Sequence, residues 1–149
     1  MQAVILAAGE SSRFWPLNQK NKSLVKIMGK PLIWYTIESL RKVGIDDFII
    51  VQGFKKDIEE ELKNYDLGIK IKYVQAEAKG MGHAVFVAKN YLTDQFFVLD
   101  AARFDGGDFI KIMLEKHKTS KANIVLLGTV TDHLQRYGIL DLNEDKANN

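Results

Sequence analysis

Short apolar runs of strand length alternate along the whole chain with stretches of helical spacing, and this alternation limits the fold more than any other feature. The runs are AVILA (3–7), DFIIVQ (47–52), IKIKYVQ (69–75), FFVLD (96–100), ANIVLLGTV (122–130) and a closing YGILDL (137–142). Helical patterns fill the intervals at 32–43, 56–64, 83–91 and 108–117. In the first of these Ile33, Ile37 and Leu40 recur on one face, Pro31 suits the first turn and Gly44 is a stop signal. Strands rich in Val, Ile, Leu and Phe are built for burial on both faces. The order β-α-β-α therefore predicts an α/β, Rossmann-like open sheet, mostly parallel though mixed, with helices on both faces.

The 149 residues, 46% hydrophobic and 27% charged, suit one globular domain over 1–149. The chain passes from a strand pattern into the polar tail NEDKANN, which predicts that a longer sheet is truncated at its C-terminal side. Lys and Arg number 21 against 19 Asp and Glu, a net charge of +2, so there is no broad basic field of the kind a nucleic-acid binder carries. Any attraction for phosphate must be local. Cysteine is absent, which removes disulfides, thiolate nucleophiles and zinc-thiolate sites and agrees with a cytoplasmic location. No apolar run is long enough to cross a bilayer, and no membrane partner is expected.

In open parallel sheets ligands lie beyond the carboxyl ends of the strands, and LAAGESSR leaves the first strand there. Ala7, Ala8 and Gly9 let a backbone approach a phosphate closely, Ser11 and Ser12 add hydroxyl groups, and Arg13 adds a planar cation. A turn that merely ends a strand would use similar residues. Neither G-x-x-x-x-G-K-[ST] nor G-x-G-x-x-G is present.

The wider stretch AVILAAGESSRFWPLNQKNKSLVKIMGKPLI resembles the N-terminal signature of the sugar-phosphate nucleotidyltransferases, or nucleotide-sugar pyrophosphorylases. The pattern L-A-A-G, hydroxyl-Arg, P-L, K-x-L and G-K-P-[LM]-I is matched at Leu6, Ala7, Ala8, Gly9, Ser12, Arg13, Pro16, Leu17, Lys22, Leu24, Gly29, Lys30, Pro31, Leu32 and Ile33. RKVGIDDFIIV, VQAEAKGMGHAV and RYGIL continue the likeness over essentially all 149 residues.

The resemblance implies the nucleotide-diphospho-sugar transferase type of fold and an enzyme joining an NTP, UTP or dTTP favoured, to a sugar 1-phosphate with release of pyrophosphate. By that resemblance Arg13 and Lys22 are the catalytic cations, and Leu6, Ala7, Ala8, Gly9, Ser11, Ser12, Gln75 and Gly80 bind the nucleotide. The Gln75 amide and the Gly80 backbone suit the edge of a base, and Gly138 would meet the sugar. Lys26 and Lys30 are weaker candidates for phosphate contact. A homo-oligomer is compatible with this reading.

The family also implies Mg2+, held by an aspartate ending the fourth strand. In DAARFD that position is Ala102, whose methyl group cannot ligate a hard cation. Asp100, two residues earlier, is the metal candidate in its place, and Asp105 suits turn chemistry beside Gly106 and Gly107. Two alternatives stay open: a non-catalytic nucleotide- or nucleotide-sugar-binding subunit on the same fold, and a CTP-dependent cytidylyltransferase for phosphocholine-like acceptors.

Overall fold

The computed structural model describes every residue except 12–15, 17–19, 134, 136, 137, 144, 145, 148 and 149. Residues 1–111 and 112–149 form two compact units. The first unit is organised by β1 (Gln2–Ala7), buried at all six positions. It is followed by a short antiparallel pair, β2 (Lys26–Ile27) and β3 (Lys30–Pro31), and by α1 (Leu32–Arg41). Then come β4 (Asp47–Gln52), α2 (Asp57–Leu62), β5 (Ile71–Gln75), α3 (Met81–Ala88) and β6 (Phe96–Asp100). The last helix, α4, spans Gly106–Ser120.

The central sheet has the order β5-β4-β1-β6 with all three pairings parallel. Side chains alternate across a strand, so a wholly buried β1 must be covered on both faces. Val4 and Leu6 pack with Ile49, Val51, Val74 and with Ala84 and Ala88 of α3 on one face. On the other, Gly106 at the start of α4 lies against Leu99 of β6 and Leu40 of α1. Leu99 is paired with Ile5, which puts α1 and the start of α4 on the Ile5 face. The expected α/β sheet with helices on both faces is thus present.

Local signals explain the boundaries. Pro31 precedes α1 in an extended conformation, φ −67° and ψ 151°. Gly44 takes φ +87°, a left-handed value that suits glycine, and its N–H donates to Arg41 O at 2.9 Å, closing the turn that stops the helix. The strand expected to start at residue 69 begins at Ile71, because Gly68, with φ +59°, and the Asp66 side chain build a turn first.

The second unit corrects the reading. No strand forms over 122–130 among the described residues, although a strand was expected there, and Ile124, Leu126, Leu127 and Val130 are exposed. A strand exists through its ladder, and an apolar run without a paired neighbour leaves its backbone to water. In the closing run Tyr137 lies outside the described residues, 138–141 make no ladder, and only β7 (Leu142–Asn143) pairs, antiparallel, with β8 (Lys146–Ala147). Among the described residues no helix is long and apolar enough to cross a membrane.

Gly107 is where α4 meets α1: its N–H donates to Ser39 Oγ at 3.4 Å, and a β-carbon there would collide with the Ser39 carbonyl. Gly107→Ala is expected to destabilise the first unit by about 1–3 kcal/mol in urea unfolding, in the range of other overpacked sites.

Candidate functional site

From β1 the chain steps outward to β4 and β5, then returns to the other side of β1 to form β6. The carboxyl ends of β1 and β6 therefore flank the point where the strand order reverses, the usual place for a ligand crevice. Leu6 is paired with Asp100, and Ala101 N donates to Leu6 O at 3.0 Å. Ala7 ends β1, Ala8 is half-buried, and Gly9 and Glu10 are exposed. Ser11 has φ +54° and accepts from Lys22 N at 2.9 Å.

Leu6, Ala8, Gly9, Gly80, Ala84 and Asp100 share the walls of one cleft of about 270 Å3. A neighbouring cleft of about 400 Å3 takes in Ala7, Gly53, Phe54 and Ala76 as well as Ala8 and Gly9. Gly80 opens α3 with φ +97° and ψ 168°, which a residue with a β-carbon adopts only under strain, and its carbonyl accepts from Ala84 N at 3.2 Å. Gly9 differs: its φ is not left-handed and space for a β-carbon is open.

Lys22 starts a 3-10 turn (Lys22–Leu24), and its Nζ lies 3.0 Å from Asp100 Oδ2. The other oxygen of Asp100, Oδ1, accepts from Ala102 N at 2.9 Å. The expected phosphate cation and the expected metal carboxylate are thus bonded to each other. Their side chains are 47% and 43% exposed, so water screens the pair and its net contribution is only about 0–1 kcal/mol. Incoming phosphate can displace such a partner.

The 270 Å3 cleft is lined by Glu10, Glu77 and Asp100, with no Lys or Arg among its described lining residues. Glu77 is held below the usual carboxylate range, chiefly by its hydrogen bond from Lys79, whose Nζ is 2.6 Å away. A phosphate entering there meets negative walls and needs cations brought to it. Lys22 brings one.

Mg2+ would need hard oxygen ligands in octahedral geometry. Ala102 offers a methyl group, Asp100 offers one carboxylate already bonded at both oxygens, and Asp105 is paired with Arg103 Nε at 2.9 Å. Among the described residues no group of three or more acidic, His or Cys side chains could hold a metal. The described residues therefore build no closed protein cage for Mg2+; Asp100 would be a single carboxylate ligand, with phosphate oxygens and water completing the shell.

The remaining candidates are distributed more widely. Ser12 and Arg13 lie outside the described residues. Gln75 ends β5 half-buried, but neither cleft has it in its walls. Gly138 is an exposed residue of the second unit. Lys26 is drawn to α2, its Nζ 2.9 Å from Glu61; that hydrogen bond raises the Lys26 pKa and lowers that of Glu61. Lys30 sits over the Trp34 ring, 3.5 Å from its centroid.

Two residues escaped the sequence reading. Gln52 is fully buried at the end of β4, accepting from Glu59 N at 3.0 Å and donating to Glu59 Oε2 at 3.2 Å, so it ties the start of α2 to the sheet. Asn21 donates through Nδ2 to Ala7 O at 2.6 Å and to Gly9 O at 3.2 Å. Its place one residue before the K-x-L pattern was the only signal available. A larger cleft, about 460 Å3, lies at the amino end of β5 between Leu62 and Tyr73, away from the strand-order reversal. Burial there, with a smaller effect from the Glu59 charge, pushes the Tyr73 hydroxyl up to about 12.

The nucleotidyl transferase family model matches residues 2–148. The UTP–glucose-1-phosphate uridylyltransferase AglF of Haloferax volcanii is 30% identical over 152 residues, covering 97% of this chain and 61% of that enzyme. This chain thus spans less than two thirds of that relative's length. Among solved structures, UDP-glucose pyrophosphorylase from Acinetobacter baumanii superposes with a TM-score of 0.71 at 22% identity, covering 97% of this chain and 62% of the other; at that identity the likeness speaks for the fold. CTP:phosphocholine cytidylyltransferase from Streptococcus pneumoniae is 34% identical with a TM-score of 0.54, covering 67% of this chain and 44% of the other.

Two variants separate site chemistry from folding. Gly9→Ala is expected to leave the unfolding midpoint unchanged, since space is open, while weakening triphosphate binding by closing the approach to the backbone; titration calorimetry beside a thermal melt checks both. Asp100→Asn is expected to tighten triphosphate binding about two- to fivefold by freeing Lys22 from a screened ion pair. A weaker affinity in that variant would mean that Asp100 supports the ligand rather than competing with it.

Proposed function

The chain belongs to the nucleotidyl transferase family, and we propose that it forms the nucleotide-binding part of an enzyme that makes an NDP-sugar and pyrophosphate from a sugar 1-phosphate and an NTP. UTP or dTTP is the favoured nucleotide. The observation that carries this reading is the convergence of the Ala8–Gly9 backbone, Gly80 and the Lys22–Asp100 pair on the cleft at the strand-order reversal. These are parts that phosphate recognition calls for.

The chemistry asks little covalent work of the protein. An oxygen of the sugar 1-phosphate attacks the α-phosphorus, a new P–O bond forms in line, and the bond to the bridging oxygen breaks as pyrophosphate leaves. Negative charge concentrates during this step, so fixed cations and backbone donors carry most of the stabilisation. Lys22 suits the α-phosphate side, its ammonium exchanging Asp100 for a phosphate oxygen. Arg13 is assigned the triphosphate end on the family pattern alone. The Gly80 backbone, and Gln75 if its amide turns toward the cleft, suit the base edge, while Gly138 is assigned to the sugar on the family pattern alone.

A second reading has its own observation: Ala102 at the metal-aspartate position and an Asp100 bonded to Lys22 Nζ and Ala102 N favour a subunit that binds a nucleotide or nucleotide-sugar without turnover. One experiment addresses both readings. UTP, dTTP, CTP and ATP are each titrated and then incubated with sugar 1-phosphates or phosphocholine while pyrophosphate release is followed. The first reading expects pyrophosphate with a sugar 1-phosphate; binding without release, in the wild type and in Ala102→Asp alike, supports the second, and release gained in Ala102→Asp counts against it. Release only with CTP and phosphocholine would assign a cytidylyltransferase, the activity named for the S. pneumoniae relative. Arg13→Ala and Lys22→Ala should each weaken NTP binding about tenfold or more, as expected for lost charge-assisted hydrogen bonds. Unchanged NTP affinity in both would overturn the assignment.

A further inference from the structure

Asn21 uses all of its polar groups on the surroundings of Lys22. Its Nδ2 donates to Ala7 O and Gly9 O, and its backbone N–H donates to Asp57 Oδ2 of α2 at 3.1 Å. Its Oδ1 accepts from Ser23 N at 3.0 Å and Ser23 Oγ at 2.8 Å, and its carbonyl accepts from Leu24 N at 2.9 Å. The amide orientation follows from these partners, because only NH2 can face two carbonyls and only oxygen can face two donors.

This arrangement has two consequences for phosphate. The segment bearing Lys22 is fixed to the end of β1 and to α2 together, and Ser11 Oγ fixes the Lys22 N–H from the loop side. The second concerns the loop backbone. A trans peptide is planar, with C=O and N–H pointing in opposite directions. With the Ala7 and Gly9 carbonyls drawn to Asn21, the N–H groups of Ala8 and Glu10 point away from it. Ala8 and Glu10 line both clefts at this end of the sheet; Asn21 is itself a wall of the 400 Å3 cleft, so the donors that point away from it belong to the 270 Å3 one. Carbonyl dipoles that would repel an anion are thereby occupied, and backbone donors are set in alternation as an anion-binding concavity requires.

We infer that Asn21 is a positioning residue for triphosphate recognition: it holds the Ala7–Glu10 peptides with their donors outward and carries Lys22 at the edge of the same cleft. The inference rests on the nucleotide-binding reading above.

The test compares UTP and UMP affinities of the wild-type chain with those of Asn21→Ala and Asn21→Asp. Asn21→Asp keeps the acceptor for Ser23 but sets a carboxylate against two carbonyls. UTP affinity is expected to fall about five- to tenfold in both variants, with UMP affinity falling less than threefold, because the loss grows with the number of phosphates held. A role confined to stability would lower both affinities equally, so an equal loss, or an unchanged UTP affinity, overturns the inference. Amide hydrogen exchange of the wild type and the two variants gives an arm that needs no nucleotide: faster exchange at 22–24 in the variants is expected, and unchanged exchange overturns the positioning role while leaving the proposed function standing. A wild-type chain that binds none of UTP, dTTP, CTP and ATP overturns the functional reading and this inference with it.

Discussion

The site depends on the confinement of β1. All six of its residues are buried, and it is hydrogen-bonded to parallel neighbours on both sides. A strand so enclosed cannot shift its register without breaking two parallel ladders and displacing close-packed side chains on both faces, which fixes where its last carbonyls emerge. The loop after Ala7 is therefore delivered to one place, beside the end of β6, whatever the surface residues are. Asn21 and Ser11 then attach the Lys22 segment to that fixed point.

Electrostatics complete the picture. The cleft presents carboxylates of Glu10, Glu77 and Asp100, and the Lys22 ammonium is held on Asp100. A screened pair of this kind keeps a long, flexible side chain near its task at little energetic cost, and it can be exchanged for a phosphate. Ala102, two residues further on, supplies a backbone N–H to Asp100 where the family pattern has its metal aspartate. The strand end is thus organised around one negative charge and one positive charge.

Much of the fold was legible because burial patterns are local: AVILA, DFIIVQ and FFVLD could hardly be anything but buried strands, and Gly44 marked the end of α1 through a backbone angle that favours glycine. ANIVLLGTV had the same composition yet made no strand, because pairing depends on a neighbour that no local pattern specifies. At the site, the small residues of the loop and Lys22 stood out by type and spacing, and both reach the strand-order reversal. Lys26 and Lys30 had equal charge and were taken by Glu61 and Trp34, partners distant enough in sequence or mild enough in type to pass unnoticed. Asn21 went unread because its importance comes from two backbone carbonyls more than ten residues away.

The central claim is that nucleotide phosphate binds at the carboxyl ends of β1 and β6. The most direct measurement is an amide-resolved NMR titration of the isotopically labelled chain with UTP. The account predicts saturable shifts at Ala8, Gly9, Glu10, Lys22, Gly80 and Ala102. Shifts confined to residues 62–73, around the larger cleft at the amino end of β5, or no saturable shift at all, would contradict it.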